Sequence, residues 1–208
     1  MLNTIEHISS KTDEIRKNIS GLDKKVRLLD GTYRQYTFFD NAASTPSFTS
    51  VKNKVNEIID YYSAIHRGQG IKSFISTEAF DEAHRIVSEF VNADMEYQTT
   101  IFVKNTTEAL NKLSYRICLK PGDVILSTGM EHHSNDLPWR RNNFVDYIAV
   151  DDKGYLDLED LNKKVKQYGK RIKLITATGA SNVSGFVNPY HKLAEVAHSI
   201  GAKFCLDA

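Results

Sequence analysis

From Thr99 to Ala208 the chain repeats one pattern, a short apolar run followed by a stretch with helical spacing. Ile101–Val103 precedes a helix expected from Thr107 to about Leu119, and Val124–Leu126 precedes one near Asn135 to Asn142. Val145–Val150 precedes Leu158–Tyr168, where Asp157 is placed to cap. Ile172–Ala177 precedes His191–Ile200, with Pro189 near its start and Gly201 just past its end. Lys203–Leu206 is the last strand. Mostly apolar strands are buried on both faces, and the amphipathic helices between them supply the cover. The expected class is α/β, a mostly parallel sheet flanked by helices. In such sheets ligands bind outside the carboxyl ends of the strands, so chemistry is to be sought there.

Before Thr99 the texture differs. Leu2 to Leu22 carries Ile5, Ile8, Ile15 and Ile19 in a loosely helical pattern and reads as a partly solvated arm. Tyr36–Phe39 reads as a short strand entering the loop Asp40–Ala43. Pro46 opens a helix with Phe48, Val51, Val55, Ile58, Ile59 and Tyr62 on one face. A polar loop, Ser63 to Ser73, contains His66-Arg67-Gly68-Gln69-Gly70. The next helix, about Ser76 to Val91, is expected to turn Ala79, Ala83, Ile86, Val87 and Phe90 inward.

Composition narrows the classes. With 41% apolar and 25% charged residues the chain is ordinary for a globular protein. No apolar run approaches the ~18 residues of a membrane span, and Met1–His7 lacks a signal peptide's basic start and apolar core. A cytoplasmic location is expected. The net charge of +1 without a long basic run gives no argument for nucleic acid. Cys118 and Cys205 form no CxxC pair and sit in apolar stretches, so two reduced, buried thiols are expected.

Four short segments fall at strand ends. Asn105-Thr106-Thr107-Glu108 offers free helix-start N–H groups and two hydroxyls to an anion such as a phosphate, although a plain N-cap by Thr106 or Thr107 explains the same residues. In Glu131-His132-His133-Ser134-Asn135, His132 can stack on a heteroaromatic ring and relay protons. A surface histidine pair is the bland alternative. A metal site of Glu131, His132 and His133 is set aside because adjacent histidines diverge and no third ligand stands at a familiar spacing. Asn182, in Ser181-Asn182-Val183-Ser184-Gly185, can hydrogen-bond a phenolate oxygen or serve as a turn residue. Asp207 can pair with a protonated pyridine nitrogen or cap a following helix. Two weaker matches fail: Gly179-Ala180-Ser181-Asn182-Val183 lacks the last glycine of a hydrolase elbow, and Gly68-Gln69-Gly70 follows no apolar strand.

Read together, these segments resemble the class V aminotransferase family of pyridoxal 5′-phosphate (PLP) enzymes. Within it they are most similar to Suf-type cysteine desulfurases and their selenocysteine lyase relatives. Asp40-Asn41-Ala42-Ala43-Ser44 resembles the entry motif, Ile65-His66-Arg67-Gly68 the H-R-G loop, and Asn105-Thr106-Thr107-Glu108-Ala109 the G-T-T-E phosphate loop. Met130-Glu131-His132-His133-Ser134-Asn135 with Pro138-Trp139 resembles M-E-H-H-A-N…P-W. Ser181–Gly185 and Leu206-Asp207-Ala208 complete the set in order. The resemblance implies a PLP-dependent transferase fold of type I. It implies that Thr106 and Thr107 hold the phosphate, His132 stacks on the ring, Asn182 faces the phenol oxygen and Asp207 the pyridine nitrogen. Ala42, Ala43, His66 and Arg67 would lie on the substrate side or in a dimer loop. Asn105 stands where the family has glycine. Asparagine tolerates positive φ better than most residues, so weaker but not abolished phosphate binding is expected.

A helical arm over 1–35 precedes the resemblance, which implies a segment 36–95 serving a small domain and dimer contacts and a partial PLP-binding domain over 96–208. The family's Schiff-base lysine, substrate-carboxylate arginine and nucleophilic cysteine would fall beyond Ala208, so an N-terminal half, truncated and inactive alone, is expected. For the intact enzyme the resemblance implies L-cysteine as substrate, a homodimer, a sulfur-acceptor protein and work in iron–sulfur cluster assembly. Another class V reaction, such as transamination, epimerisation or a lyase step, is the alternative. A non-catalytic binding protein is the reading from a different class.

Overall fold

The computed structural model describes residues 11–141 and 143–208, which form two compact units meeting at the Ile101/Phe102 junction. The isoleucines Ile5 and Ile8 of the N-terminal arm lie outside the described residues, as does Asn142.

The first unit has an antiparallel pair, β1 (Lys25–Arg27) and β2 (Tyr33–Gln35), and two helices, α1 (Thr49–Ile59) and α2 (Ile71–Phe90). Residues 11–17 are also helical. The strand expected at Tyr36–Phe39 lies earlier, at β2, where β1 supplies hydrogen-bond partners. Helix α2 begins before the expected Ser76, and its burial runs opposite to expectation. Ser73, Ser76 and Ser88 are buried, whereas Ile86, Val87 and Phe90 are exposed. The cause lies in the preceding loop, whose backbone packs on the hydroxyl face of α2. Ser63 N–H donates to Ser76 Oγ at 2.9 Å and Gly68 N–H to Ser73 Oγ at 3.1 Å. A Cβ on Gly68 would overlap Ser73, so glycine is required at that approach. All the fully buried apolar side chains among the described residues belong to the second unit.

That unit is a four-stranded parallel sheet in the order β4-β3-β5-β6. Its strands are β3 (Val124–Thr128), β4 (Phe144–Ile148), β5 (Ile172–Thr178) and β6 (Lys203–Asp207), within a residue or two of expectation. Helices α3 (Thr106–Arg116), α4 (Leu137–Arg140), α5 (Leu158–Tyr168) and α6 (Tyr190–Ser199) cover it. Side chains alternate across the sheet. One face buries Val124, Leu126, Ile175 and Ala177 against Leu161 of α5 and Leu193 and Ala197 of α6. The other buries Ile125 and Leu174 against Leu110 of α3 and Trp139 of α4. Asp157 caps α5 as expected, its carboxylate accepting from Glu159 and Asp160 N–H.

Two expectations fail here. Ile101–Val103 is not a strand, because no described segment pairs with it. The helix expected from Asn135 is divided into a 3-10 turn, His133–Asn135, and the short α4. Pro138 lacks the N–H that would join them.

Strand order reverses between β3 and β5. The chain leaves β3 toward α4 on one face, while α6 returns from β5 on the other. A reversal of this kind opens a crevice at the carboxyl ends of the two central strands, the usual ligand position in such sheets.

Candidate active site

The crevice is furnished by the turn after β3, the ends of β5 and β6, and the start of α3. Asn105 caps α3 from an extended backbone with φ −168°, and its side chain accepts the Glu108 N–H at 2.9 Å. Positive φ is therefore not needed at this position; asparagine is retained through its capping oxygen, which glycine lacks. The Ala109 N–H is taken by the Asn105 carbonyl at 3.1 Å. Among the described residues the Thr106 and Thr107 N–H groups have no acceptor, and both side chains are exposed. An anion at the helix start would find two N–H groups and two hydroxyls.

Past β3, His132 begins the 3-10 turn. Its Nδ1 accepts the Ser134 N–H at 3.1 Å and lies 2.7 Å from Ser134 Oγ. A backbone donor on Nδ1 leaves the proton of the neutral ring on Nε2. His132 lines a cavity of about 490 Å³ together with Thr107, Asn111, His133, Leu137 and Arg141. The structure thus brings Thr107, expected at a phosphate, and His132, expected on a ring, to one cavity. His133 shares that cavity, its ring centroid 6.2 Å from that of His132.

Asp207 ends β6 half-buried, and its carbonyl accepts the Gly179 N–H at 2.7 Å. Burial pushes its carboxyl above the ordinary aspartate range, and nearby His132 opposes the rise. Asn182 sits exposed in the turn after β5. That turn is held by the buried Asn188, whose amide donates to the Thr178 carbonyl at 2.8 Å. Neither Asn182 nor Asp207 lines the His132 cavity.

The remaining candidates lie in the first unit. Ala42 and Ala43 are in a turn whose Ala43 and Ser44 N–H groups converge on the Asp40 carbonyl. His66 has φ +60°, its N–H donates to Thr77 Oγ1 at 3.0 Å, and its Nε2 is 2.9 Å from Asp81 Oδ1. Arg67 is exposed. The cysteines depart from expectation. Cys118 is exposed because it follows the end of α3, and Cys205 is only half-buried.

Two polar residues, Glu131 and Asn135, have a role that sequence reasoning missed. Glu131, weighed only as a metal ligand, accepts from Thr128 Oγ1, from Thr178 N–H at 2.9 Å and from Asn135 Nδ2 at 2.6 Å. Burial raises its carboxyl, and the three donors pull the other way. Asn135, wholly buried, accepts from Trp139 Nε1 at 3.0 Å and Thr176 Oγ1 at 2.8 Å. The signal was available in part, since polar residues inside an apolar layer must be hydrogen-bonded.

A cofactor with a phosphate, a planar ring and a basic ring nitrogen fits this donor set. No described residue donates to the Asp207 carboxylate, so a ring N–H would give a half-buried carboxylate its missing partner. The crevice lies at the switch point of an α/β sheet, and its donor set suits a phosphorylated heteroaromatic cofactor.

The comparisons with known proteins agree. The family model for class-V aminotransferases matches residues 37–208, and the chain belongs to that family. A cysteine desulfurase of Haloferax volcanii is 35% identical over 82% of this chain and 41% of its own length. A probable cysteine desulfurase of Pyrococcus abyssi is 33% identical over 84% of this chain and 44% of its own. The apo structure of cysteine desulfurase from Thermococcus onnurineus superposes with a TM-score of 0.77 at 30% identity, covering 94% of this chain and 47% of that one. The chain therefore spans less than half the length of these relatives. PLP is the cofactor the family implies.

Proposed function

We propose that Phe102–Ala208 is the cofactor-holding part of a PLP-dependent, cysteine desulfurase-like enzyme. The observation that carries this reading is the half-buried Asp207 carboxylate, raised by burial, beside His132 and without a donor among the described residues. When bound, the cofactor's ring accepts the electron density released at the substrate's α-carbon. Asp207 holds the proton on the ring nitrogen that makes this possible. Thr106 and Thr107 fix the phosphate at the start of α3. His132 lies against the ring and offers Nε2–H, and Asn182 donates to the phenol oxygen. Ala42, Ala43, His66 and Arg67 serve the substrate side or a dimer loop.

The reaction proposed for the whole enzyme is removal of sulfur from L-cysteine, giving alanine and an enzyme persulfide that passes to an acceptor protein. The names of the relatives support that substrate. Neither cysteine here suits the nucleophile: Cys118 does not line the cavity, and burial raises the Cys205 thiol. No lysine of this sequence is assigned the Schiff-base role.

The test uses pyridoxamine 5′-phosphate, which has the phosphate, phenol and ring nitrogen but no aldehyde to react with surface lysines. The 208-residue chain should bind it one to one. Asp207→Ala and Thr106→Val/Thr107→Val should each weaken binding roughly tenfold or more, the effect of losing charge-assisted hydrogen bonds. Equal affinity in all three proteins would refute the assignment.

A further inference from the structure

Parallel strands β3 and β5 pair only as far as Leu126 and Ile175. Beyond them β3 runs on beside β4 to Thr128 without pairing β5, so the Thr178 N–H, on the β3 side of β5, has no strand carbonyl to meet. Glu131 fills it, its carboxylate accepting that N–H at 2.9 Å. The next N–H along, that of Gly179, points to the opposite side and donates to the Asp207 carbonyl at 2.7 Å. Successive backbone groups at the end of β5 thus hold the His132 turn on one side and the Asp207 strand end on the other.

Two further donors fix the Glu131 carboxylate. Thr128 Oγ1 comes from the last residue of β3, and Asn135 Nδ2 from the end of the 3-10 turn that His132 begins. Both ends of the segment that presents His132 are therefore tied to one side chain. Three donors and no acceptor around a carboxylate suit its ionised form, which an amide cannot replace without setting N–H against N–H.

We propose that Glu131 is a positioning residue, a side-chain strut that sets His132 relative to Asp207 through the end of β5. The inference deepens the cofactor-site reading and, for its meaning in catalysis, rests on it. Glu131 itself touches no ring; it acts through His132. Replacing it would let the His132 turn move while leaving the apolar layers of the sheet in place.

The experiment compares the 208-residue chain with Glu131→Ala, which removes both carboxylate oxygens, by NMR, first without ligand. Thr178 amide exchange should accelerate roughly 10–100-fold, the loss of one hydrogen bond to a charged group, while Ile175 stays protected. The His132 ring nitrogen signals should shift. Pyridoxamine 5′-phosphate affinity should then fall severalfold in the variant that remains cooperatively folded. Thr128→Val, a β-branched replacement on β3, should produce the same changes in smaller measure and serves if the alanine variant does not fold. Unchanged Thr178 exchange and His132 signals in either folded variant would overturn the strut, whatever the ligand does. A wild-type chain that binds no pyridoxamine 5′-phosphate, yet shows the exchange and ring shifts on substitution, would instead refute the cofactor reading and leave the strut standing.

Discussion

Asn135→Ala should be among the most damaging single substitutions in the second unit. Asn135 and Trp139 are both wholly buried, and the asparagine serves three partners: the Trp139 indole, the Thr176 hydroxyl and the Glu131 carboxylate. Truncation leaves the indole N–H without its acceptor at a cost of about 1–3 kcal/mol, and takes from Glu131 a bond to a charged group that contributes about 1.5–3 kcal/mol. The Thr176 hydroxyl can rotate, and water entering the vacated space recovers part of the loss. The net is about 3–5 kcal/mol, a large share of the stability of a typical domain. With a urea dependence of about 2 kcal/mol per molar, the midpoint should fall by roughly 2 M. Trp139 is the chain's single tryptophan, so its emission, checked by far-UV circular dichroism, follows the transition. Thr176→Val, which removes one donor and keeps the shape, should cost only about 1 kcal/mol. A loss below about 1 kcal/mol for Asn135→Ala would show that the polar layer is not held through this side chain.

Other expectations follow from single features. Without cofactor, Asp207→Asn should raise the melting temperature near neutral pH. The folded carboxyl is raised, so its stability is present below the unfolded aspartate value and lost as pH rises through the folded one; the gain should vanish in acid, and a neutral-pH loss would contradict the burial argument. Ser127→Ala should be neutral or slightly stabilising in chemical denaturation, since Ser127 Oγ is buried without a partner among the described residues. A thiol reagent should modify Cys118 quickly and Cys205 slowly, because burial keeps the latter protonated; equal rates would contradict the placement of β6. Limited proteolysis should cut first before Ile101, where no described apolar side chain is fully buried.

The sheet was legible because each of its strands is built around a short apolar run and helices α5 and α6 are bounded by Asp157, Gly169, Pro189 and Gly201. Helix α5 agrees with expectation at both ends, since Asp157 and the Glu159/Asp160 N–H groups form a purely local cap. Ile101–Val103 has the composition of a strand and is not one, because a strand exists only by pairing and composition does not report the partner. Helix α2 misled for a related reason. Its apolar spacing is real, but a neighbouring loop took the serine face, which no periodicity announces. At the site, the motif residues could be named, and the proximity of Thr107 to His132 follows from the switch point between β3 and β5. The network of Glu131, Asn135 and Thr178 joins the segment after β3 to the end of β5, residues far apart in sequence, and was hidden for that reason.

The most direct test of the account is a chemical-shift map of the 208-residue chain titrated with pyridoxamine 5′-phosphate. Three strand-end segments and the start of α3 form one site in this account. The amides of Thr106, Thr107, Asn182 and Asp207 and the ring of His132 should therefore move together, saturating at one equivalent. Movement confined to other parts of the chain, or separate saturation of the phosphate loop and the Asp207 end, would contradict a single cofactor site.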